Sequence, residues 1–305
     1  MKNGHTCDRT CMTFFDIMYV SSEVIMVKIV VLEKDSDKEI KTFLETFYLS
    51  KAKIHQLFQN KCVYRNQKNL YQLDKIKKGD VIDIDFSCLD QQPIIPFMGP
   101  IEILYEDQDM MILNKPKSLL VHTDGNTIDT LTNRVAYHKK DYPYQILPVH
   151  RLDYETSGLL IFAKHPLAHA FLSHQFEERQ VEKKYIALVE GVVSKDKDVI
   201  DLPIARDRHS EKQRVSKDGK RATSIYRVIK RFNSETLCEV MIIGGRKHQI
   251  RVHMASIGHP VVGDKLYGHL RKNHGMMRLE FTACKFIHPT QRVLFEYQLK
   301  TPNQV

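Results

Sequence analysis

The stretch VHRLDYETSGLLIFAK, residues 149–164, changes character half-way along. Leu159 to Ala163 are continuously apolar and stop at Lys164, the pattern of a strand buried on both faces. Before them, His150, Arg151 and Asp153 place three ionisable groups directly ahead of a Thr156-Ser157-Gly158 turn. Outward from this segment, strand-like runs fall at Ile101–Tyr105, Met110–Asn114, Lys184–Glu190, Ala222–Phe232, Leu237–Ile243 and Val293–Leu299. Helical spacing is confined to Asp129–Lys139, Pro166–Glu178 and Gln249–Ser256. Helices scattered among strands without strict alternation predict an α+β fold, built on a mixed, largely antiparallel sheet.

Upstream the pattern differs. A strand at Met26–Val31 precedes two short helices, the first carrying Ile40, Phe43, Leu44 and Phe47 and the second starting after Ser50, a good N-cap. Gly79-Asp80 then leads into the alternating strand Val81–Phe86. Residues 91–100 contain three prolines, one glycine and no charge, and read as a linker. The expected organisation is an N-terminal extension over 1–25, a small α/β unit over 26–90, the linker 91–100 and a large unit over 101–305. No function is assigned to 1–25.

With 305 residues, 42% of them hydrophobic, the chain can bury a substantial core. Lys and Arg exceed Asp and Glu by 46 to 37, a formal charge of +9, so a polyanion is the first partner to consider, with plain solubility as the alternative. No run reaches the roughly 18 apolar residues of a membrane span, and Asp8, Arg9 and Asp16 interrupt any signal-peptide core. The expectation is a cytoplasmic protein without membrane attachment. Six scattered cysteines fit a reducing compartment. Cys7 and Cys11 lack a second ligand pair at suitable spacing and are read as free thiols, so no metal is expected.

Within the large unit, three clusters could carry chemistry. The first is His150-Arg151-Leu152-Asp153; the second is Lys183-Lys184-Tyr185; the third runs from Gly244-Gly245-Arg246-Lys247-His248-Gln249-Ile250-Arg251 to His253, then Gly258-His259-Pro260 and Gly263-Asp264. Each has an ordinary explanation. Asp153 could cap its turn through Thr156, Tyr185 could be an edge aromatic of the core, and Arg251 could be a surface cation. His248 and His253 look like metal ligands, but no third ligand completes a site. The basic segment Arg206–Arg221 is polar enough to be a mobile loop or a plain solvated one.

Taken together, the clusters resemble the RluA-type pseudouridine synthases, in which HRLDxxTSGLLxFAK, a Lys-x-Tyr strand and GRxHQIRVHxxxxGHPxxGDxxYG occur in this order. NKPKSLLVH at 114–122 extends the likeness, with Ser118 where the family usually has Gly, and Gly244 replaces a common Thr. The resemblance implies an isomerase that breaks the bond between uracil and ribose, turns the base and rejoins it through ring carbon five, with no cofactor. It implies Asp153 as the catalytic carboxylate, Arg251 as its ion partner and Tyr185 as the aromatic against the uracil. Arg151 would fill the gap left by an extruded uridine, and His150, Thr156, Arg246, His248 and Gln249 would line the substrate site, His150 by shaping the loop. Residues 27–88 resemble the alpha-L RNA-binding motif, although Lys61 stands where Gly is usual and Arg65-Asn66-Gln67 replaces a Val-Asn-Gly turn. Lys51, Lys53, Lys61, Lys183 and Lys184 would then contact RNA. Large-subunit ribosomal RNA is the first expected substrate, with transfer RNA second and a monomer as the working form. A non-catalytic RNA-binding factor and a uracil-releasing hydrolase are the alternatives.

Overall fold

The computed structural model describes residues 26–208, 210–268 and 275–300. The expectations for 1–25, including Cys7 and Cys11, lie outside the described residues. The first unit is a four-stranded antiparallel sheet in the order β1-β4-β2-β3, formed by β1 (Val27–Val30), β2 (Val63–Arg65), β3 (Lys68–Asn69) and β4 (Val81–Ile84). Helices α1 (Ile40–Glu45) and α2 (Lys51–Gln59) complete it. Ser50 caps α2 by accepting a hydrogen bond from the Lys53 backbone N–H at 3.3 Å. The positions lacking the usual glycines still take left-handed backbone: φ is 55° at Lys61, 51° at Asn66 and 64° at Gln67. The two-residue turn between β2 and β3 needs positive φ at both places, which Asn tolerates better than Gln.

The large unit is a ten-stranded sheet. Along its main path it runs β10-β13-β14-β9-β15-β8-β6-β5. The strands are β5 (Ile103–Glu106), β6 (Met110–Lys115), β7 (Leu147–Pro148), β8 (Ser157–Ala163), β9 (Glu182–Glu190), β10 (Lys197–Asp201), β13 (Thr223–Arg231), β14 (Glu235–Ile243), β15 (Leu279–Ile287) and β16 (Leu294–Gln298), with β7 paired to β8 and β16 to β15. Helices α3 (Leu131–His138), α4 (Pro166–Glu177) and α5 (Gln249–Ser256) accompany it. Among the described residues only β8 and β15 pair in parallel, so the mixed, largely antiparallel α+β expectation holds. Every residue of β8 is buried, which is why its sequence is apolar without alternation.

Several strands escaped the sequence reading, β15 and β10 among them. β15 loses alternation at Ala283-Cys284, and β10 carries only two apolar residues among charges. The basic segment also departs from expectation. β11 (Ile204–Arg206) and β12 (Gln213–Val215) form an antiparallel hairpin, held to the body by the Gln213 N–H donating to the Tyr267 hydroxyl at 2.7 Å. The linker has no regular secondary structure, yet it is laid along α3: the Phe97 N–H donates to the Asn133 carbonyl at 3.0 Å and the Asn133 amide donates to Ile95 O at 2.6 Å.

The two units share apolar packing. Tyr144, Leu167 and Phe171 of the large unit belong to the same buried cluster as Phe43, Phe47 and Ile54 of the small one. The Arg292 guanidinium lies 4.2 Å from the Phe47 ring centre and 4.5 Å from that of Phe171, and donates to Thr46 Oγ1 at 2.8 Å. Tyr48 stacks on His174 with centroids 3.5 Å apart.

One glycine sets the sheet's centre. Gly158 has φ 105° and pairs with Phe281, whose carbonyl oxygen would lie 2.2 Å from any added Cβ. Phe281 in turn pairs with Tyr185 across β9. Gly158→Ala is expected to destabilise the protein by about 3 kcal/mol or more, combining positive-φ strain with a backbone clash. Chemical denaturation of the two proteins checks this; equal midpoints would contradict the close approach.

Candidate active site

The turn before β8 brings Asp153 to the end of the sheet where Gly158, Phe281 and Tyr185 lie side by side. Its backbone is held from beneath. Lys115, wholly buried at the end of β6, donates to the carbonyls of Pro116 (2.9 Å), Tyr154 (3.1 Å) and Thr156 (2.8 Å). Three acceptors match the three protons of an ammonium. Burial nevertheless pulls the Lys115 pKa down to about 7, against the pull of Asp153. The Thr156 N–H donates to Asp153 O at 3.1 Å and closes the turn, so the carboxylate is released from capping duty.

Arg251 comes from α5 and is 4% exposed. It grips Asp264 with two bonds, Nε to Oδ2 at 2.7 Å and Nη2 to Oδ1 at 2.9 Å, and turns its remaining Nη1 to Asp153 Oδ2 at 3.3 Å. Burial opposes the arginine's charge, but its bonds to Asp264 and then to Asp153 hold its pKa above even the ordinary arginine range. Asp264 Oδ1 also accepts the backbone N–H groups of Leu266 and Tyr267 at 2.9 and 3.1 Å. The expected Asp153 partner is therefore shared, and its tighter bond goes to Asp264. A planar guanidinium can bridge two carboxylates in this way; an ammonium on a flexible stem cannot reproduce the geometry.

His248 sits at the N-terminal boundary of α5 with φ 59°. Its Nδ1 pairs with the Tyr267 hydroxyl at 2.9 Å, and Nε2 faces Asp153 Oδ2 at 3.8 Å. Burial lowers its pKa to about 4 in spite of Asp153, so the ring is neutral at pH 7. Both neighbours approach Oδ2. Oδ1 of Asp153 has no partner among the described residues, and the side chain retains 24% exposure.

Tyr185 on β9 is buried and stacks on Phe281 at 4.7 Å between centroids and 19° between planes. Burial, followed by the nearby Asp153 charge, raises its phenol pKa, so the hydroxyl is protonated at neutral pH. Asp153, Tyr185, Arg251, Arg151, Thr156, Arg246, His248 and Gln249 line one cleft of about 90 Å3, together with Ile242 and Leu279. That volume holds on the order of six water molecules, which is ring-sized space. Arg151 is exposed at its rim and has no carboxylate or hydrogen-bond partner among the described residues.

Other expected residues fall elsewhere. His150 is withdrawn from the cleft: it stacks on Phe176 at 4.5 Å, its Nε2 accepts the Ile161 N–H at 3.2 Å, and burial drives its pKa to about 3. It shapes the strand entry. Gln249 spends its amide internally, accepting from Arg246 N at 3.0 Å and donating to Thr223 O at 2.9 Å, so it positions α5. Lys183 is 5% exposed, which does not fit a phosphate grip on the outer surface, and Lys184 on the opposite face is half-buried. Lys51, Lys53 and Lys61 are exposed and outside the cleft. The sequence reading gave no role to Asp264, although it falls in the third cluster, and none to Lys115 or Phe281. Asp264 and Lys115 stand inside segments that resembled the family, but nothing local marks a carboxylate or lysine as buried; Phe281 lies on the missed strand. Among the described residues, no group of three His, Cys, Asp or Glu side chains is placed to hold a metal ion.

A carboxylate with one free oxygen, a shared guanidinium and an aromatic wall thus meet in one ring-sized cleft. The sequence profile described as RNA pseudouridylate synthase matches residues 109–256, which include the turn, Tyr185 and α5. An uncharacterized RNA pseudouridine synthase of Aquifex aeolicus is 40% identical over 302 residues, covering 92% of this chain and 94% of its own. The chain belongs to the RNA pseudouridylate synthase family. The ribosomal large subunit pseudouridine synthase D of Zymomonas mobilis is 34% identical over 278 residues, covering 84% and 87% of the two chains. The fold is that of human RNA pseudouridylate synthase domain containing 1, with a TM-score of 0.59 at 24% identity over 70% of this chain and 87% of the human one. The RluA-type resemblance thus holds, and the enzyme is an isomerase whose substrate is RNA.

Asp264→Asn should loosen Arg251 and lower kcat by about 100-fold, the cost of a misplacement near 1 Å at a reacting centre. RNA affinity should stay within about threefold, because phosphate contacts dominate it. Tritium release and filter binding separate the two, and an unchanged kcat would remove Asp264 from the site's support. Lys115 offers a pH test. Its pKa is about 7 in the folded chain and 10.5 for an ordinary lysine, so between those values the unfolded chain binds more protons and this group's contribution to stability rises with pH. The stability of the wild type minus that of Lys115→Met should therefore climb from about pH 7 upward and be flat below; a flat difference throughout would refute it.

Proposed function

We propose that this enzyme converts specific uridines of large-subunit ribosomal RNA to pseudouridine, with Asp153 as the carboxylate that acts on the ribose. The observation that carries the assignment is the asymmetry at Asp153: Oδ2 faces Arg251 and His248, while Oδ1 is left to the cleft. Its charge is compensated without both oxygens being consumed. Asp153 either attacks C1′, its ester bond then giving way to C5, or removes the C2′ proton to give a glycal and returns that proton as C5 bonds; in both routes the C1′–N1 bond breaks, C5 bonds to C1′, the C5 proton leaves to solvent and N1 takes up a proton.

Tyr185 holds the uracil by its ring face while the base turns, and its phenol, in the same cleft as Asp153, takes part in proton movement at C5. Arg151, exposed and unpartnered at the rim, enters the stack vacated by the extruded uridine. The unit over 26–90 acts as an alpha-L RNA-binding domain, joined through 91–100 to the catalytic domain of 101–305. Its exposed Lys51, Lys53 and Lys61 contribute sequence-independent contacts to phosphates. Similarity to proteins named ribosomal large subunit pseudouridine synthase D, from Zymomonas mobilis among others, supports the choice of ribosomal RNA. The enzyme works as a monomer in the cytoplasm.

Asp153→Asn should abolish tritium release from uracil-C5-labelled RNA, with RNA affinity kept within a few-fold. Mapping pseudouridines in cells with and without the gene should show lost positions in large-subunit ribosomal RNA. Turnover by Asp153→Asn would overturn the catalytic assignment, and losses confined to transfer RNA would overturn the substrate.

A further inference from the structure

A second and larger cavity opens beside the cleft. It holds about 460 Å3, against about 90 Å3 for the cleft, and the two share Arg151 and Tyr185 in their walls. Sites that enclose an entire small molecule span roughly 300–1,000 Å3. The reacting base does not need this space.

One cation of its lining stands where burial should discourage charge. Lys183 is 5% exposed, yet among the described residues no carboxylate lies within ion-pair reach of its ammonium, which donates to the Val181 carbonyl at 3.1 Å and lies 5.6 Å from the Phe176 ring centre. A buried ammonium without a carboxylate partner at the wall of a cavity is a strong anion attractor. Burial, then Arg179, lowers its pKa to about 8, which leaves it charged at pH 7. His122 and His169 lie on the same wall. Burial, then the charge of Arg151, lowers the His122 pKa, and burial, then the charge of Lys53 on α2, lowers that of His169. Glu177, exposed, is the single carboxylate among the lining residues. Phe176 and Ile242 give the cavity an apolar side.

The extruded uridine remains covalently joined to its neighbours, so a flanking phosphodiester must lie where the cleft opens, beside Arg151. We infer that the larger cavity seats the nucleotide adjacent to the target uridine on the same strand, with its base against Phe176 and Ile242 and its phosphate facing Lys183. The strand then leaves past His169 toward Lys53 on α2. Neutral imidazoles supply N–H donors to phosphate there, and Lys183 supplies the point charge. This reading rests on the proposed roles of Asp153 and Arg151. It gives the enzyme a reason to prefer single-stranded context on one side of its target.

Ser173 on α4 lines the cavity and is absent from the cleft, which makes it the place for a plug. The probes are in vitro transcripts of large-subunit ribosomal RNA and of pooled transfer RNAs, labelled with tritium at uracil C5. Ser173→Ala should match the wild type, whereas Ser173→Trp should lose at least tenfold in kcat/KM, mainly through KM, with Tm within a few degrees. A folded Ser173→Trp enzyme with wild-type kcat/KM overturns the inference. Independently, Lys183→Gln should reduce the slope of log KM against log salt by about 0.7, the share of one single-strand phosphate. An unchanged slope also overturns it, even should the tryptophan prevent folding. Failure of these variants to differ from an active wild type touches the cavity alone; an inactive wild type on both RNAs instead counts against the proposed substrate.

Discussion

The guanidinium of Arg251 is the point on which the site turns. It is buried, it bonds twice to Asp264, and only its leftover nitrogen reaches Asp153 at 3.3 Å. Asp264, whose side chain is fully buried, could not be carried into the protein without it, since an unpaired buried charge costs several kcal/mol. Because Asp264 takes the tighter bonds, the arginine is anchored whether or not substrate engages Asp153. Asp153 is thereby left with one free oxygen and a neighbour that does not have to be pulled into place. Preorganisation of this kind needs every second contact to be fixed as well. Tyr267 provides one, holding His248 on one side and the β11–β12 hairpin on the other through the same hydroxyl.

The sheet explains why residues so far apart in sequence meet. Asp153 ends a turn before β8, Tyr185 lies on β9, and the strand between them in space, β15, comes almost a hundred positions after Tyr185 in the chain. Gly158 lets β8 start directly against the Phe281 backbone, and Phe281 presents its ring to Tyr185. A single missing side chain therefore sets the spacing between the carboxylate turn and the aromatic.

Much of this was readable in the chain. β8 was unmistakable because burial on both faces leaves an unbroken apolar run, and α2 carried its cap in Ser50. The cleft residues Asp153, Tyr185 and Arg251 were found by the order of their segments. β15 was not found, because its neighbour on one edge changes from β8 to β16 while β9 stays on the other, and the register shift between Phe281 and Ala283 breaks the alternation. The basic 206–221 segment was misjudged because its hairpin depends on Tyr267, a contact that composition does not encode. Lys115 and Asp264 are charged residues at wholly buried positions, and local pattern assigns such residues to the surface.

The apolar cluster that runs from Phe43 and Ile54 through to Leu167 and Phe171, with Arg292 laid across Phe47, gives the two units a common interior. Cutting the chain at the proline-rich stretch would uncover greasy surface on both halves. The small sheet and the large one should accordingly melt in a single cooperative transition, and the distance between the basic face of α2 and Asp153 is built in as a fixed ruler.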